Sequence, residues 1–525
     1  MSLASERGDL TGRKSMVSNV LGSWGAQTVF IVAGFILPRM IDRHLGQDVL
    51  GVWDFGWSVV SYFDLVSMGL VGSVNRFVAK NRAADDVAGV NRCVSSAFCL
   101  LAIVGLVVVG LAVAAARVVP ALATSKVGNH VADIKWVILF LGWASAAQTV
   151  SYTFAGVLTG CHRWKVHNAI TAGGYAVAVV GMIAALVFGG TIKTLALIYF
   201  IGEVLRALLR IIFAYRICPR LSVRLSLADW PTARSMMNFG GKTAVPQVAE
   251  LLLNQTVSVL VVSYLGAAAL AIYSRPRSLV LQMRTLVFKM AAVLTPSVSS
   301  IQALGNHAEI GELVIKATRY AVFLTLPLTF GFVIFGGPLM RLWMGPRYEN
   351  DALIAILALG YAGFIIQSPA ISILAGLNLH GRPGLANLGA SLITAGAVAL
   401  VVGPLKLGLA WVAVAATLPL AVTFAVYIPW HTCQQINIPL LHYVKEVVVK
   451  PLKMLAPFVL WLVAMRFAFW RAPLAGLAVA VVGGGAIMAV LYWRGVLPGS
   501  MKETIRKRLH KKPGKNGKHE ELLVP

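Results

Sequence analysis

The chain has 525 residues, of which 58% are hydrophobic and only 13% charged, with a mean hydropathy of +0.77 and a formal net charge of +26 at pH 7. A soluble domain carries about 25% charge, so this composition excludes a soluble globular protein and leaves a polytopic membrane protein. The cations lie mainly in short loops and at the C-terminus, where the positive-inside bias and anionic lipid account for them better than nucleic acid does.

A membrane-crossing helix needs about 20 mostly apolar residues. By that rule the chain contains fourteen spans, near 16–38, 50–75, 93–116, 135–159, 168–189, 192–214, 239–264, 267–300, 315–337, 352–376, 384–404, 407–429, 452–470 and 473–493. The first is long enough to remain as a span, with no short apolar core and small-residue cleavage site ahead of it. The 267–300 element exceeds one bilayer and is expected to project at its C-terminal end. Loop charge orients the chain. With Arg7, Arg13 and Lys14 inside, so are Lys80, Arg82, Arg92, Arg163, Lys165, Arg216, Arg220, Arg224, Arg234, Lys445, Lys450 and Lys453. Both termini are then cytoplasmic, and the tail from Lys502 through Lys518 reads as a solvated segment touching anionic lipid. The external loops are short and leave no room for a catalytic domain.

The chain repeats itself. Leu45-Gly46 opens the second span and Leu265-Gly266 the eighth, 220 residues later. At the same offset Leu50 meets Leu270, Trp53 meets Tyr273, Ser58 meets Ser278, and Ala155-Gly156 meets Ala375-Gly376. The fold class expected is therefore an all-α membrane protein of two six-helix lobes, related by a pseudo-two-fold along the membrane normal, plus two extra helices. The expected division is an N-terminal tail over 1–15, an N-lobe over 16–235, a C-lobe over 236–430, the last two spans over 431–495 and a basic tail over 496–525.

The stretch from Leu265 to Leu304 is apolar enough to span, yet it carries Arg275, Arg277, Arg284 and Lys289 and no acid. Charge inside a span costs several kcal/mol and is usually functional. Snorkelling toward water suits Lys289 and Arg284 better than Arg275 and Arg277, which lie well inside. Arg277 and Arg284, seven residues apart, share nearly one helix face, and Pro276 is expected to bend the helix beside them. An anionic ligand, or acids on other helices, would satisfy these cations. Glu250, fifteen residues before Leu265, and Arg277, twelve after it, lie at similar depth about 18–22 Å from the turn at 1.5 Å per residue, so Glu250 is the candidate partner of Arg277, or of Arg284 further along the helix. Asp64 is a second deep acid and candidate coupling group. Glu203, with Arg206 and Arg210 on its own helix face, reads as a self-neutralised stripe. Asp54 reads as a wetted acid near the outer end of span two. Arg39 and Arg76 sit at span ends, where they either mark the interface or touch a phosphate. Trp53, Trp57, Tyr62 and Tyr273 either belong to an aromatic belt or stack on sugar rings between the lobes.

Catalytic constellations are missing: there is no H-E-x-x-H, no P-loop and no G-x-S-x-G. The isolated Asp85-Asp86 pair lacks the further acids of a Mg²⁺-diphosphate site. Five scattered cysteines without a C-x-x-C pair imply neither a disulfide framework nor a metal. Neither an enzyme nor a cofactor is expected.

Fourteen spans, the six-plus-six repeat, Leu265-Gly266 before Tyr273-Ser-Arg-Pro-Arg, and Ala375-Gly376 before His380-Gly-Arg-Pro resemble the polysaccharide transporters. These are O-antigen-type flippases of the multidrug/oligosaccharidyl-lipid/polysaccharide exporter superfamily. The resemblance implies an inner-membrane flippase carrying an oligosaccharide on polyprenyl diphosphate to the outer leaflet, with polysaccharide polymerases as partners. It also implies a lipid-tail groove on residues 452–493. Arginine suits such a substrate, because its fork pairs with phosphate oxygens bidentately. A lipid II flippase of the same fold is disfavoured by a first span without charge between Lys14 and Arg39. A drug/cation antiporter would want acids where span eight has arginines, and a membrane polymerase or ligase would want larger external loops.

Overall fold

The computed structural model describes residues 13–67, 70–127, 131–292, 294–303, 307–496 and 502–503. The expected tails over 1–15 and 496–525 thus lie almost wholly outside the described residues. No strand occurs among the described residues. The helices are α1 (Arg13–Leu45), α2 (Gln47–Ser61), α3 (Leu70–Ala83), α4 (Val87–Val127), α5 (Val131–Gly160), α6 (Trp164–Val187), α7 (Ile192–Ile217), α8 (Trp230–Leu251), α9 (Val257–Leu265), α10 (Ala267–Ala292), α11 (Leu294–Ala303), α12 (His307–Trp343), α13 (Asp351–Ile366), α14 (Ser368–Gly376), α15 (Gly381–Val402), α16 (Leu409–Val422), α17 (Ile428–Ile436), α18 (Leu440–Val444), α19 (Lys450–Ala468) and α20 (Pro473–Leu491). Single π-turns join α8 to α9, α16 to α17 and α18 to α19.

The helices of the first half pack on one another, α4 along α5, α5 along α7 and α1 along α6. Those of the second half do likewise, α12 along α13, α13 along α16 and α15 along α16. Interior positions such as Leu50, Leu101, Leu141, Leu270 and Leu357 are wholly buried. The outside is also apolar, with Leu106, Phe188, Val180, Leu460 and Val482 exposed, as a bilayer-facing surface requires.

Twelve described helical stretches are long and apolar enough to cross a membrane. The two expected spans outside that set, 192–214 and 267–300, correspond to α7 and α10. Each is a helix of 26 residues, about 39 Å at 1.5 Å per residue, and each loses mean hydropathy to its own charges.

Span two departs from a continuous helix. It breaks after α2 into a 3₁₀ turn over Phe63–Val66 and resumes as α3. The Ser67 hydroxyl donates to the Asp64 carbonyl at 3.0 Å, and the Ser67 amide donates to the same oxygen at 3.1 Å. These local bonds compete with helix continuation. Within the 267–300 element, α10 runs unbroken through Pro276.

The two turns that the repeat pairs have one geometry. Gly46 has φ 91° and ψ 168°, and Gly266 has φ 92° and ψ 172°. Only glycine takes this conformation readily. Their amides donate to Asp42 and Val262 carbonyls, both at 3.0 Å. Further along, the turn at Cys161-His162-Arg163 donates to Val157, Thr159 and Leu158, and the turn at Leu377-Asn378-Leu379 donates to Ile373, Ala375 and Leu374. His162 and Asn378 both have positive φ. These equivalent turns lie 378 − 162 = 216 residues apart, so Ala375 answers to Thr159 rather than to Ala155.

Candidate functional site

The two halves meet where α2 crosses α10. Gly51 lies so close to the Ala267 backbone that a methyl group there would overlap the Ala267 carbonyl. Asp54, one turn along α2, accepts hydrogen bonds from Ser274 and Arg275, with Arg275 Nη2 at 2.5 Å from Asp54 Oδ1. This pair is largely buried, with side-chain exposures of 8% for Arg275 and 15% for Asp54. Arg275, expected to face a ligand without a nearby acid, is therefore occupied by Asp54, and Asp54 is not simply wet. Two more contacts close the same end of the bundle. The Tyr348 hydroxyl donates to Asp42 Oδ1 at 2.6 Å, and Trp343 Nε1 donates to the Phe35 carbonyl at 2.8 Å. Arg39 borders this seam, its guanidinium beside Gly345.

Two residues after Arg275, Arg277 points to a different side of α10, as residues at i and i+2 must. Its Nη2 donates to Asn254 Oδ1 and its Nε to the Tyr361 hydroxyl at 3.4 Å. Asn254 stands in the π-turn Leu252–Thr256, which turns its amide toward α10. Such single-turn π-bulges are frequent at functional sites. Among the described residues Arg277 makes hydrogen bonds only to uncharged partners. Two turns further along, Arg284 pairs with Glu250 through both guanidinium nitrogens, at 2.5 and 3.1 Å. Its guanidinium carbon also lies 4.6 Å from the centre of the Phe364 ring. Glu250 thus takes Arg284, not Arg277, and this pair is accessible, with side-chain exposures of 43% and 23%. Lys289 donates to Gln27 Oε1 at 2.9 Å and joins α10 to α1.

The remaining expected residues lie elsewhere. Tyr273 is wholly buried and Trp53 nearly so, which leaves neither a ring face for a sugar. Trp57 meets Tyr199 edge-on at 4.9 Å, inside the first half. Asp64 accepts from the Ser145 hydroxyl at 2.9 Å in the 3₁₀ turn. Glu203, Arg206 and Arg210 are all buried in the first half. Arg206 pairs with Glu203, and Arg210 donates to the Ser151 hydroxyl at 2.7 Å, consistent with a self-neutralised stripe. No cluster of three metal-ligating side chains occurs among the described residues.

Asn254, Tyr361 and the Tyr62–Thr256 contact, 2.6 Å between hydroxyls across the halves, are absent from the sequence-based candidates. The available signal is Asn254-Gln255, an amide pair in an otherwise apolar span.

The model of a family described as polysaccharide biosynthesis protein matches residues 43–352, more than half of the chain and all of the α2–α10 arrangement. The chain belongs to that family. It is 23% identical over 416 residues to membrane protein EpsK of Bacillus subtilis (strain 168), covering 77% of this chain and 80% of that protein. It is 20% identical over 345 residues to a putative O-antigen transporter of Shigella flexneri, covering 64% and 80%. Among solved structures it is similar to the lipid II flippase MurJ in an inward closed conformation, with a TM-score of 0.65, 12% identity and coverage of 94% and 100%. It is also similar to an inward-facing multidrug resistance MATE family transporter, with a TM-score of 0.61, 14% identity and coverage of 78% and 94%. The family member described here therefore shares the fold of those two solved structures and is a multi-pass membrane protein of the polysaccharide biosynthesis family.

Proposed function

We propose that the chain flips a polyprenyl-diphosphate-linked oligosaccharide from the cytoplasmic to the outer leaflet for surface polysaccharide biosynthesis. The observation that carries this reading is Arg277, a guanidinium deep in the bundle whose hydrogen-bond partners Asn254 and Tyr361 are both neutral. A cation whose hydrogen bonds at that depth go only to neutral groups is costly unless an anion comes to it. A diphosphate is such an anion, and it matches the guanidinium fork. Arg284 is the second cation on offer. Glu250 holds it, and an arriving diphosphate competes for it.

The mechanism is alternating access between lobes over 16–235 and 236–430, with the lysine- and arginine-rich loops and both termini in the cytoplasm. The Asp54–Arg275, Asp42–Tyr348 and Gly51–Ala267 contacts then form the closed outer end. A cavity between the lobes spares the head group from crossing hydrocarbon. A cation antiporter would need surplus acid here, and α10 supplies surplus base.

The test is a strain lacking the protein, in which lipid-linked glycan accumulates on the inner leaflet. Wild-type complementation should clear it. Arg277→Glu should not clear it, although it inserts normally. Arg277→Lys should clear it in part, keeping the charge and losing the fork. Clearance by Arg277→Ala at the wild-type rate would overturn the reading.

A further inference from the structure

A second basic site lies between the halves at the opposite end of the bundle from Asp54. It is a cavity of about 330 Å³ lined by Arg76, Phe77 and Lys80 from α3 and by Ser235, Asn238 and Phe239 from α8. Arg76 and Lys80, four apart, share one helical face, as do Ser235, Asn238 and Phe239. The Arg76 guanidinium lies 4.3 Å from the centre of the Phe239 ring. That contact holds the guanidinium by its face and leaves the in-plane N–H edge free to donate. Among the described residues neither Arg76 nor Lys80 has an acidic partner.

The depth of this cavity narrows its ligand. Arg76 directly follows the apolar 50–75 stretch and Phe239 opens the apolar 239–264 stretch. The cavity therefore lies where both spans end, at the level of lipid head groups. The α8 wall is also well anchored. Asp229 caps α8 by accepting from the Thr232 amide at 3.0 Å and the Thr232 hydroxyl at 2.7 Å, bonds that hold its carboxyl below the usual carboxylate range. The Asp229 amide in turn donates to Ser96 of α4 at 2.8 Å.

We propose that this cleft binds the phosphate or diphosphate head group of a membrane lipid. Two cations, an amide and a hydroxyl line it from two helices, together with the rings of Phe77 and Phe239. Small-ligand pockets span roughly 300–1,000 Å³, so the cavity suits one head group and not a whole glycan. Because α3 belongs to the first half and α8 to the second, an occupant bridges them and favours the arrangement in which both walls are in reach. The site requires only that the chain sits in a membrane, and it stands apart from Arg277. Two lipids carry this chemistry: an ordinary anionic phospholipid, and the diphosphate-linked glycan carrier.

The experiment is site-resolved lysine labelling of the full chain in neutral phosphatidylcholine nanodiscs, read by mass spectrometry. Lys406, exposed in a loop elsewhere, is the internal reference. Farnesyl diphosphate should slow labelling of Lys80 but not of Lys406. Arg76→Gln should weaken that protection by about tenfold, the effect of losing one charged hydrogen-bonding partner. Protection should persist in Arg277→Gln, which separates this cleft from the deeper site. If phosphatidylglycerol protects as well as farnesyl diphosphate, the occupant is a general anionic phospholipid; if only the prenyl diphosphate protects, it is the glycan carrier. Both results support the site. Equal labelling of Lys80 with farnesyl diphosphate, phosphatidylglycerol and uncharged farnesol would overturn it. So would protection that Arg76→Gln leaves unchanged or that Arg277→Gln removes.

Discussion

Asp54 and Arg275 are 221 residues apart in the chain, yet Arg275 Nη2 lies 2.5 Å from Asp54 Oδ1 in a largely buried ion pair between α2 and α10. Ser274, the residue 220 positions after Asp54, donates to the same carboxylate. The acid of one repeat and its counterpart in the other therefore meet where the two helices cross.

A buried pair costs most when one partner alone is removed, about 3–5 kcal/mol, because the other charge stays behind without compensation. Asp54→Asn or Arg275→Gln should each lower the thermal midpoint of the purified protein. The double substitution Asp54→Asn with Arg275→Gln should recover much of that loss. If the two losses simply add, the residues are not energetically coupled.

The Glu203–Arg206 pair should behave differently. Both side chains are buried within the first half, away from the α2–α10 crossing. Glu203→Gln should destabilise the protein and reduce the folded amount in the membrane, by the same argument. Transport per folded molecule should stay near the wild-type rate. A normal amount of folded but inactive Glu203→Gln would move Glu203 from a structural to a coupling role.

Some of this site is legible in the sequence, and the boundary has physical causes. The Leu-Gly pairs at 45–46 and 265–266 stand out because a φ near 90° all but demands glycine. The charges of α10 stand out because a span seldom tolerates them. Their partners do not, because a sequence records the cost of a charge and not what lies across the bundle. Arg275 and Arg277 cannot share a partner, being two apart on a helix, and this much follows from spacing alone. Trp53 and Tyr273 read the same way whether a ring faces the core or a cavity, and here both face the core. The break in span two is hidden, since Asp64 and Ser67 interrupt an apolar run only briefly. Asn254 is hidden because a π-turn has no sequence signature comparable to a cap.

The crossing itself is testable by cross-linking. Gly51 lies on Ala267, and the repeat sets Gln47 against Ala271 as the mate of that contact. Gln47→Cys with Ala271→Cys, in a background free of the native cysteines, should form a disulfide under mild oxidation. That bond needs Cα atoms within roughly 7 Å. It should stop transport, and reductant should restore it. A fully cross-linked protein that still transports would show that α2 and α10 need not separate at this end.

The sharpest test of the cationic site uses the neighbour of Arg277 rather than Arg277 itself. Asn254 accepts from Arg277 through Oδ1, in a π-turn that directs its amide at α10. Asp is nearly isosteric with Asn but ionised, so Asn254→Asp should turn a neutral contact into an ion pair. Charge-assisted hydrogen bonds are about twice as strong as neutral ones. The thermal midpoint of Asn254→Asp should therefore stay the same or rise. Transport should nevertheless fall by about tenfold or more, because a diphosphate must now displace a fixed carboxylate, and every 1.4 kcal/mol of that competition is a factor of ten. Asn254→Leu makes the opposite change. It removes the acceptor and leaves Arg277 charged, so it should cost stability while retaining part of the transport. Both variants are read in the same complementation strain, by glycan clearance and by the thermal midpoint of the purified protein. If Asn254→Asp is stable and clears glycan at the wild-type rate, an uncompensated charge on Arg277 is not what the substrate needs.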